Sequence, residues 1–276
     1  MATPRNQSVF KAFAMLKSFR DPGEWLTSSE LSRRSKLPEA SGYRLIQTLE
    51  EIGAVVRGPR GRYRPGMLLV SLSQNVIIPE LLHQAGHAIA AEVSERLDVT
   101  VHIGVLEHGM VTYATKATTP RSWVTETRPG AQLEAYCSGL GKVLLAALSP
   151  EEVEAFMADG QFVALTPNTI TDEKALRLEL AKVRAQGYAV DDCEFRSDMA
   201  CVAAPIRDEQ GHTVAAISAT ESAADMTPSR RAQLLEELQA AAAAIGRKVC
   251  PAGPQLRAAP RPRPVFPVID GVDAAA

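Results

Sequence analysis

Three side chains that can donate hydrogen bonds to DNA bases share one face of a short predicted helix. In the segment 37–53, Tyr43, Arg44 and Gln47 fall opposite the apolar positions at about 100° per residue. Ala40 joins this polar face, and the apolar positions are Leu45, Ile46, Leu49 and Ile52. Such a helix could read the major groove of DNA. Taken alone, the pattern also fits an ordinary amphipathic surface helix.

Four arginines follow this helix directly, on two short segments separated by a turn. Residues 54–57 and 62–64 predict strands, and Gly58-Pro59-Arg60-Gly61 between them predicts the turn of a β-hairpin. The arginines are Arg57, Arg60, Arg62 and Arg64. Such a hairpin can act as a wing that follows phosphates or enters the minor groove. The alternative is a charged hairpin that only contacts solvent.

The elements before the polar helix complete a DNA-binding arrangement. An apolar stripe predicts a helix over 8–19, which Asp21-Pro22-Gly23 ends. Thr27 and Glu30 have the spacing of a capping box and start a second helix that runs to about Arg34. Two short helices joined by a tight turn form a helix-turn-helix. We expect DNA contacts from Ser28, Ala40, Ser41, Tyr43, Arg44, Gln47, Arg57, Arg60 and Arg62.

The charge distribution supports this division of the chain. Residues 1–75 carry a net charge of +6 and residues 76–250 a net charge of −9, within a total of −2. A basic first part suggests that only this part contacts a polyanion. No apolar run approaches the roughly 18 residues of a membrane span, and no secretory signal is visible, so we expect a cytoplasmic protein with no membrane contact.

The second half predicts an α+β domain on an antiparallel sheet. Alternation from Val99, a turn at 107–109 and a return over 110–115 predict a hairpin, and a further strand is predicted over 121–127. Helices are predicted over 138–148, 150–158, 173–186 and 228–249, and strands over 188–191, 201–207 and 213–220. We expect a winged helix-turn-helix domain (5–66), a linker helix (67–79), a second domain (80–250) and a disordered Pro- and Ala-rich tail (251–276).

From residue 7 to 249 the chain resembles the IclR family of bacterial transcriptional regulators. The N-terminal resemblance rests on residues 29–32 (SELS), 43–51 (YRLIQTLEE) and Gly53. The C-terminal resemblance rests on 139–146 (GLGKVLLA), 166–171 (TPNTIT), 184–192 (RAQGYAVDD) and 201–205 (CVAAP). Cys193 stands where the family usually has an acidic residue, and Asp198 stands where many members have glycine.

The resemblance implies a ligand-responsive DNA-binding regulator of a catabolic operon. It implies a winged helix, a linker helix used in dimerisation, a GAF-like effector domain, and a homodimer or dimer of dimers on a palindromic operator. Mapped onto this chain, the effector site comprises Ser122, Thr125, Gly139, Leu140, Asp191, Met199, Cys201, Ser218 and Thr220. We expect no cofactor and no bound metal.

The types and spacing of these residues support this mapping. Gly139 begins a predicted helix, where free backbone N–H groups suit a carboxylate. Ser218 and Thr220 are two residues apart on a strand and therefore face one side. Such groups recognise a small organic acid without catalysis, and Trp123 and Tyr136 could add an aromatic wall, which favours a ring-containing acid.

Two other function classes are alternatives to this interpretation. An enzyme is disfavoured, because residues 139–142 lack the full spacing of a phosphate loop and no cysteine has a histidine nearby in sequence. Asp191 and Asp192 are adjacent on a strand and face opposite ways. A winged helix used only for protein contacts remains the second alternative.

Overall fold

The computed structural model describes residues 6–21, 23–123 and 125–251. The chain forms two compact units, one ending at Gln74 and the other beginning at Asn75. The boundary falls within the segment 67–79 predicted as a linker. Apart from Pro251, the tail predicted as disordered lies outside the described residues.

The first unit is a helix-turn-helix with a small antiparallel sheet. Its helices are α1 (Gln7–Leu16), α2 (Ser28–Arg34), α3 (Glu39–Glu51) and α4 (Met67–Ser73), and its strands are β1 (Leu26–Thr27), β2 (Val55–Arg57) and β3 (Arg62–Pro65). The strand order is β1-β3-β2, and a 3-10 turn at Pro59–Gly61 joins β2 to β3. Met15, Leu31 and Ile46 are fully buried between the helices. The helix-turn-helix and the hairpin are therefore confirmed, whereas the two-residue strand β1 was not predicted.

Local sequence signals set the ends of these helices. Thr27 and Glu30 make both bonds of the predicted capping box, because the Glu30 backbone N–H donates to the Thr27 hydroxyl and the Thr27 backbone N–H donates to the Glu30 carboxylate. Gly53 follows α3 with φ +77°, the left-handed conformation that commonly ends a helix. Helix α1 ends three residues before the predicted Phe19.

The second unit is a six-stranded antiparallel sheet between two helical layers. Its helices are α5 (Ile78–Leu97), α6 (Gly139–Ala146), α7 (Pro150–Asp159), α8 (Glu173–Gln186) and α9 (Pro228–Val249). Its strands are β4 (Thr100–Glu107), β5 (Met110–Ala117), β6 (Gln132–Glu134), β7 (Ala189–Asp192), β8 (Met199–Arg207) and β9 (Thr213–Ser222). The strand order is β6-β5-β4-β9-β8-β7. This arrangement confirms the predicted α+β class.

The alternation of β4 assigns its side chains to the two layers. Val101 and Ile103 pack against α5 and α9, within a cluster that includes Leu234 and Ile245. The intervening residues face α6, so a Cβ added at Gly104 would lie 3.3 Å from Leu140. Both faces of the sheet are thus covered, and the α6 face carries the polar positions.

The strand predicted over 121–127 is absent from the described residues. The described residues between 121 and 127 form a turn and an irregular loop instead of a strand. The Ser122 hydroxyl closes the turn, because it donates to the Thr119 carbonyl (2.9 Å) and accepts from the Thr119 N–H (3.0 Å). The short strand β6 that follows was not predicted.

No helix among the described residues is long and apolar enough to cross a membrane.

Candidate functional site

The polar side of α3, which we call the recognition face, consists of Ala40, Tyr43, Arg44 and Gln47. All four residues are exposed, and the Gln47 side-chain amide donates to the Tyr43 hydroxyl at 3.2 Å. Ile46 and Leu49 are buried on the other side, but Ile52, placed on the apolar face by its spacing, is 55% exposed. Ser28 and Ser41 are half-buried.

The recognition face is presented by close packing of α3 on α2. A Cβ added at Gly42 would lie 2.0 Å from the Ser32 Oγ and 3.3 Å from Met15. An added Cβ would have to displace the Ser32 side chain, so the absence of a Cβ permits this close approach of the two helices. Arg44 and its neighbours project from the opposite side of this contact.

The hairpin of β2 and β3, which we call the wing, uses its arginines in two ways. Arg62 donates to the Trp25 carbonyl at 2.9 Å, and the Arg64 guanidinium lies 4.8 Å from the Trp25 ring centroid, a cation–π distance. These two residues attach the wing to the segment before β1. Arg57 and Arg60 are exposed, and Arg60 lies at the tip with φ 58°. All four wing arginines are exposed to solvent, and Arg62 and Arg64 are in addition held by Trp25.

The second unit contains a cavity of about 320 Å³ between the start of α6 and the sheet, which we call the α6 cavity. Its floor is set by strand register. One cross-strand row runs Thr100, Thr220, Cys201, Asp191, and the next runs Lys116, His102, Ser218, Ala203. Directly opposed residues share a face of an antiparallel sheet, so the hydroxyls, the thiol and the carboxyl converge here.

Helix α6 begins directly above the thiol of Cys201. The hydroxyl of Ser138, the residue before the helix, accepts from the Gly141 N–H at 3.1 Å, and Gly139 and Leu140 line the cavity. A Cβ at Gly139 would lie 2.9 Å from the Cys201 Sγ. The glycine therefore lets the first backbone N–H groups of the helix approach the sheet, where they can bind an anion.

Aromatic rings and hydroxyls form the side of the α6 cavity nearest β4 and β5. The rings of His102 and Tyr113 are 4.6 Å apart, and His102 Nε2 lies 2.6 Å from the Thr127 Oγ1, which lies 2.8 Å from the Thr125 Oγ1. Burial and, secondarily, the Lys116 charge lower the pKa of His102 to about 3. His102 is therefore neutral at physiological pH. Phe195 adds a second apolar ring to the lining.

A buried charge cluster lies beside the cavity. The Lys142 side chain is fully buried and its Nζ contacts the carboxylates of Glu194 and, at 3.3 Å, Glu179. Asp191 is 1% exposed, and its Oδ1 accepts from the Glu194 N–H at 2.7 Å and from the Phe195 N–H at 3.4 Å. Burial is the largest influence on the pKa of Asp191 and raises it to about 7. The nearby Glu194 charge acts in the same direction.

The side chains of the α6 cavity suit binding better than catalysis. Burial and the neighbouring Asp191 raise the pKa of the Cys201 thiol to about 12, so the sulfur stays protonated and is a weak nucleophile. Among the described residues, no group of three His, Cys, Asp or Glu side chains is arranged to hold a metal ion.

Comparison with known proteins gives the family. Residues 8–59 match the IclR helix-turn-helix domain, and residues 79–247, more than half of the chain, match the C-terminal domain of the bacterial transcriptional regulator IclR. This chain belongs to the IclR family. It is therefore a transcriptional regulator that binds DNA through its helix-turn-helix and carries a ligand-binding C-terminal domain. The prediction of a regulator instead of an enzyme is confirmed.

Individual IclR-family proteins are similar over most of their length. The regulator XynR of Escherichia coli strain K12 is 30% identical over 245 residues, which are 88% of this chain and 97% of XynR. The Pca regulon regulatory protein of Pseudomonas putida is 26% identical over 227 residues, 82% of this chain and 78% of that protein. An IclR homolog from Microbacterium hydrocarbonoxydans, solved with 4-hydroxybenzoate, superposes with a TM-score of 0.57 at 26% identity, covering 88% and 99% of the two chains.

Eight of the nine residues predicted for the IclR-type effector site line the α6 cavity. They are Thr125, Gly139, Leu140, Asp191, Met199, Cys201, Ser218 and Thr220. Ser122 does not line it, because its hydroxyl closes the Thr119 turn. Tyr136, predicted as an aromatic wall, also lies outside the lining. Its hydroxyl donates to the Val163 carbonyl, and its ring packs on Phe162 at 5.1 Å. Trp123 is not part of the lining either.

The aromatic residues that line the cavity were not predicted from the sequence. Tyr113 and Phe195 line the cavity. Among the described residues, Arg196 contributes a cationic side chain to the same lining. A signal for His102 was present, because Thr100, His102 and Gly104 alternate with the apolar residues of β4. No comparable signal exists for Phe195, since it lies in a loop that only the tertiary fold brings to the cavity.

Proposed function

We propose that this IclR-family regulator controls a catabolic operon in response to a small organic acid, and that a ring-containing acid is the preferred effector. The observation that carries the proposal is the composition of the α6 cavity. The N–H groups at the start of α6 line one side of the cavity, the hydroxyls of Ser218 and Thr220 lie on the sheet floor, and the Tyr113 ring lies beside them. A carboxylate and an attached ring match these two parts in chemistry.

The complex of the Microbacterium homolog with 4-hydroxybenzoate supports this ligand class. The cavity volume of about 320 Å³ suits a ligand of that size. For this chain we accordingly propose Thr125, Gly139, Leu140, Asp191, Met199, Cys201, Ser218 and Thr220 as effector-contacting residues, with Ser122 omitted.

A thermal-shift measurement with 4-hydroxybenzoate, benzoate and aliphatic acids tests the effector proposal. A ligand at a concentration of about a hundred times its dissociation constant stabilises the folded protein by about 2.7 kcal/mol. We expect Thr220→Val, which removes a buried hydroxyl from the cavity floor, to weaken the response. Thr213→Val, at the other end of the same strand, is the matched control and should respond as the wild type does. Failure of every acid to shift the melting temperature would refute the proposal.

We further propose that the recognition face reads base edges and that the exposed wing arginines contact phosphates. Exposure of Tyr43, Arg44 and Gln47 on one side of α3 supports the first role, and the free position of Arg60 at the wing tip supports the second. Exposed apolar residues on α4, with Met67 at 70% and Leu72 at 56%, favour a homodimer or a dimer of dimers on a palindromic operator.

Binding to the gene's own upstream region, measured by fluorescence anisotropy over a range of salt, tests the two roles. Arg44→Ala should weaken specific binding by about 1–3 kcal/mol and leave non-specific binding nearly unchanged. Arg60→Ala should weaken binding to all DNA sequences alike. It should also reduce the slope of log K against log salt by about 1. Lys248→Ala, an exposed charge at the end of α9, is the control. Wild-type operator affinity in Arg44→Ala would exclude the recognition face as the reader and favour a winged helix used for protein contacts.

A further inference from the structure

The carboxyl group of Asp191 faces the same cavity that we propose for an anionic effector. Its Oδ1 accepts two backbone N–H bonds, whereas its Oδ2 has no hydrogen-bond partner among the described residues. Asp191 is almost fully buried and lines the α6 cavity, so a ligand bound there meets the second oxygen. Two carboxylates in contact repel each other unless a proton lies between them.

Asp191 has no buried cation to itself among the described residues. Lys142 on α6 is the one buried cation beside it in the described structure, and it is already bonded to Glu194 and Glu179. Three carboxyl groups thus share one ammonium group. The other titratable groups that face Asp191 or the cavity near it are Cys201 on β8, Tyr113 on β5, Cys137 before α6, His102 on β4, and Arg196 and Glu126 at the lining.

None of these groups neutralises an ionised Asp191. Burial raises the pKa values of Cys201 and Cys137 to about 12 and raises that of Tyr113 as well, so all three stay neutral. His102 is neutral because burial lowers its pKa. Arg196 is held by Asp198 through two hydrogen bonds of 3.0 and 2.9 Å. Asp191 is therefore the group whose protonation can offset the charge of an arriving anion.

We propose that the effector binds together with one proton, which Asp191 carries and donates from Oδ2 to the effector's carboxylate. This inference rests on the proposed function. Where Asp191 is ionised in the free protein, the complex forms by uptake of one proton from solvent, and the effector remains an anion. The site would then respond differently to an acid and to its amide. The amide oxygen accepts the same hydrogen bond, but the amide brings no charge to repel an ionised Asp191.

Calorimetric titration with benzoate and with 4-hydroxybenzoate at pH 6 and pH 8 tests the proposal. Both carboxylates are ionised at either pH. Repeating each titration in two buffers of different ionisation enthalpy yields the number of protons taken up. Because burial raises the pKa of Asp191 to about 7, we expect uptake near one at pH 8 and near zero at pH 6, and affinity about tenfold weaker at pH 8.

Asp191→Asn preserves the shape of the protonated acid and cannot titrate. It should bind with no proton uptake and with affinity that changes less than about twofold between the two pH values. Asp192→Asn is the matched control, because Asp192 is the adjacent carboxylate on the exposed side of β7 and should keep the wild-type behaviour.

Each remaining outcome contradicts the proposal in a distinct way. Binding by the wild type without proton uptake would refute the role of Asp191 and leave the proposed function intact. Uptake that persists in Asp191→Asn would assign the proton to another group, His102 first. Absence of binding by both acids and by the aliphatic acids would refute the proposed function and this inference with it.

Discussion

Replacement of Lys142 by methionine should destabilise the second unit severely, although methionine matches lysine in length. The Lys142 side chain is 0% exposed, and the side chains of its partners Glu194 and Glu179 are 7% and 16% exposed. Removing one member of such a buried pair costs about 3–5 kcal/mol, because the other charge stays buried without a partner. For a unit of this size, 1 kcal/mol corresponds to roughly 2–4 °C in melting temperature, so we expect a decrease of about 6–20 °C.

Urea denaturation and thermal melting of the full chain measure this effect, with Lys182→Met as the matched control. Lys182 also pairs with Glu179, at 3.4 Å, but its side chain is 65% exposed. Exposed pairs contribute about 0–1 kcal/mol, so the control should change little. The double variant Lys142→Met/Glu194→Gln should recover much of the loss, because it removes the stranded charge. The reasoning is refuted if Lys142→Met costs no more than Lys182→Met.

The sign of the pH dependence follows from Glu194. Burial raises its pKa above the ordinary value, so the group takes up protons more readily in the folded state than in the unfolded state. The loss of stability in Lys142→Met should therefore shrink as the pH falls towards and below the folded pKa of Glu194, where the carboxyl becomes neutral. At higher pH the uncompensated charge persists and the full loss should be seen.

Three further substitutions test the packing that positions the two sites. Gly42→Ala should reduce operator binding together with the stability of the first unit, measured by anisotropy and by melting, since the added Cβ would lie 2.0 Å from the Ser32 Oγ. Ala203→Val and Ala204→Val add the same volume to opposite faces of β8, and each should cost about 1–3 kcal/mol of stability. Only Ala203→Val should also weaken effector binding in calorimetry, because Ala203 lies under Gly139. Equal affinities in the two variants would contradict this.

Long amphipathic segments with clear caps could be predicted from sequence to within a residue or two. Helix α8 begins at Glu173 and ends at Gln186 as predicted, since Asp172 caps its start and Gly187, with φ +80°, follows its end. The segment 121–127 was mispredicted because its residue pattern cannot show whether a partner strand is available. The three-residue strand β6 is too short to leave a periodic signal.

The residues proposed to contact the effector could be predicted only where the family resemblance supplied their positions. Trp123 and Tyr136 were predicted as an aromatic wall, but neither lines the α6 cavity, and the Tyr136 ring packs on Phe162. Tyr113 lines the cavity, and its position depends on the pairing of β5 with β4, which no local pattern reveals. On the recognition face, by contrast, one helix carries all of the residues, so the spacing sufficed to place them on one exposed side.

The α6 cavity and the core of the second unit are specified by the same strand register. Thr220 opposes both Thr100 and Cys201, and Cys201 opposes Asp191, so one row carries polar groups across four strands. A slip of one residue in β9 would turn Thr220 towards the apolar layer of α5 and α9 and bring Ala219 to the cavity. Burial of an unpaired hydroxyl in that layer costs about 1–3 kcal/mol, which opposes the slip. The polar row that would bind an effector therefore also helps to fix the pairing that builds it.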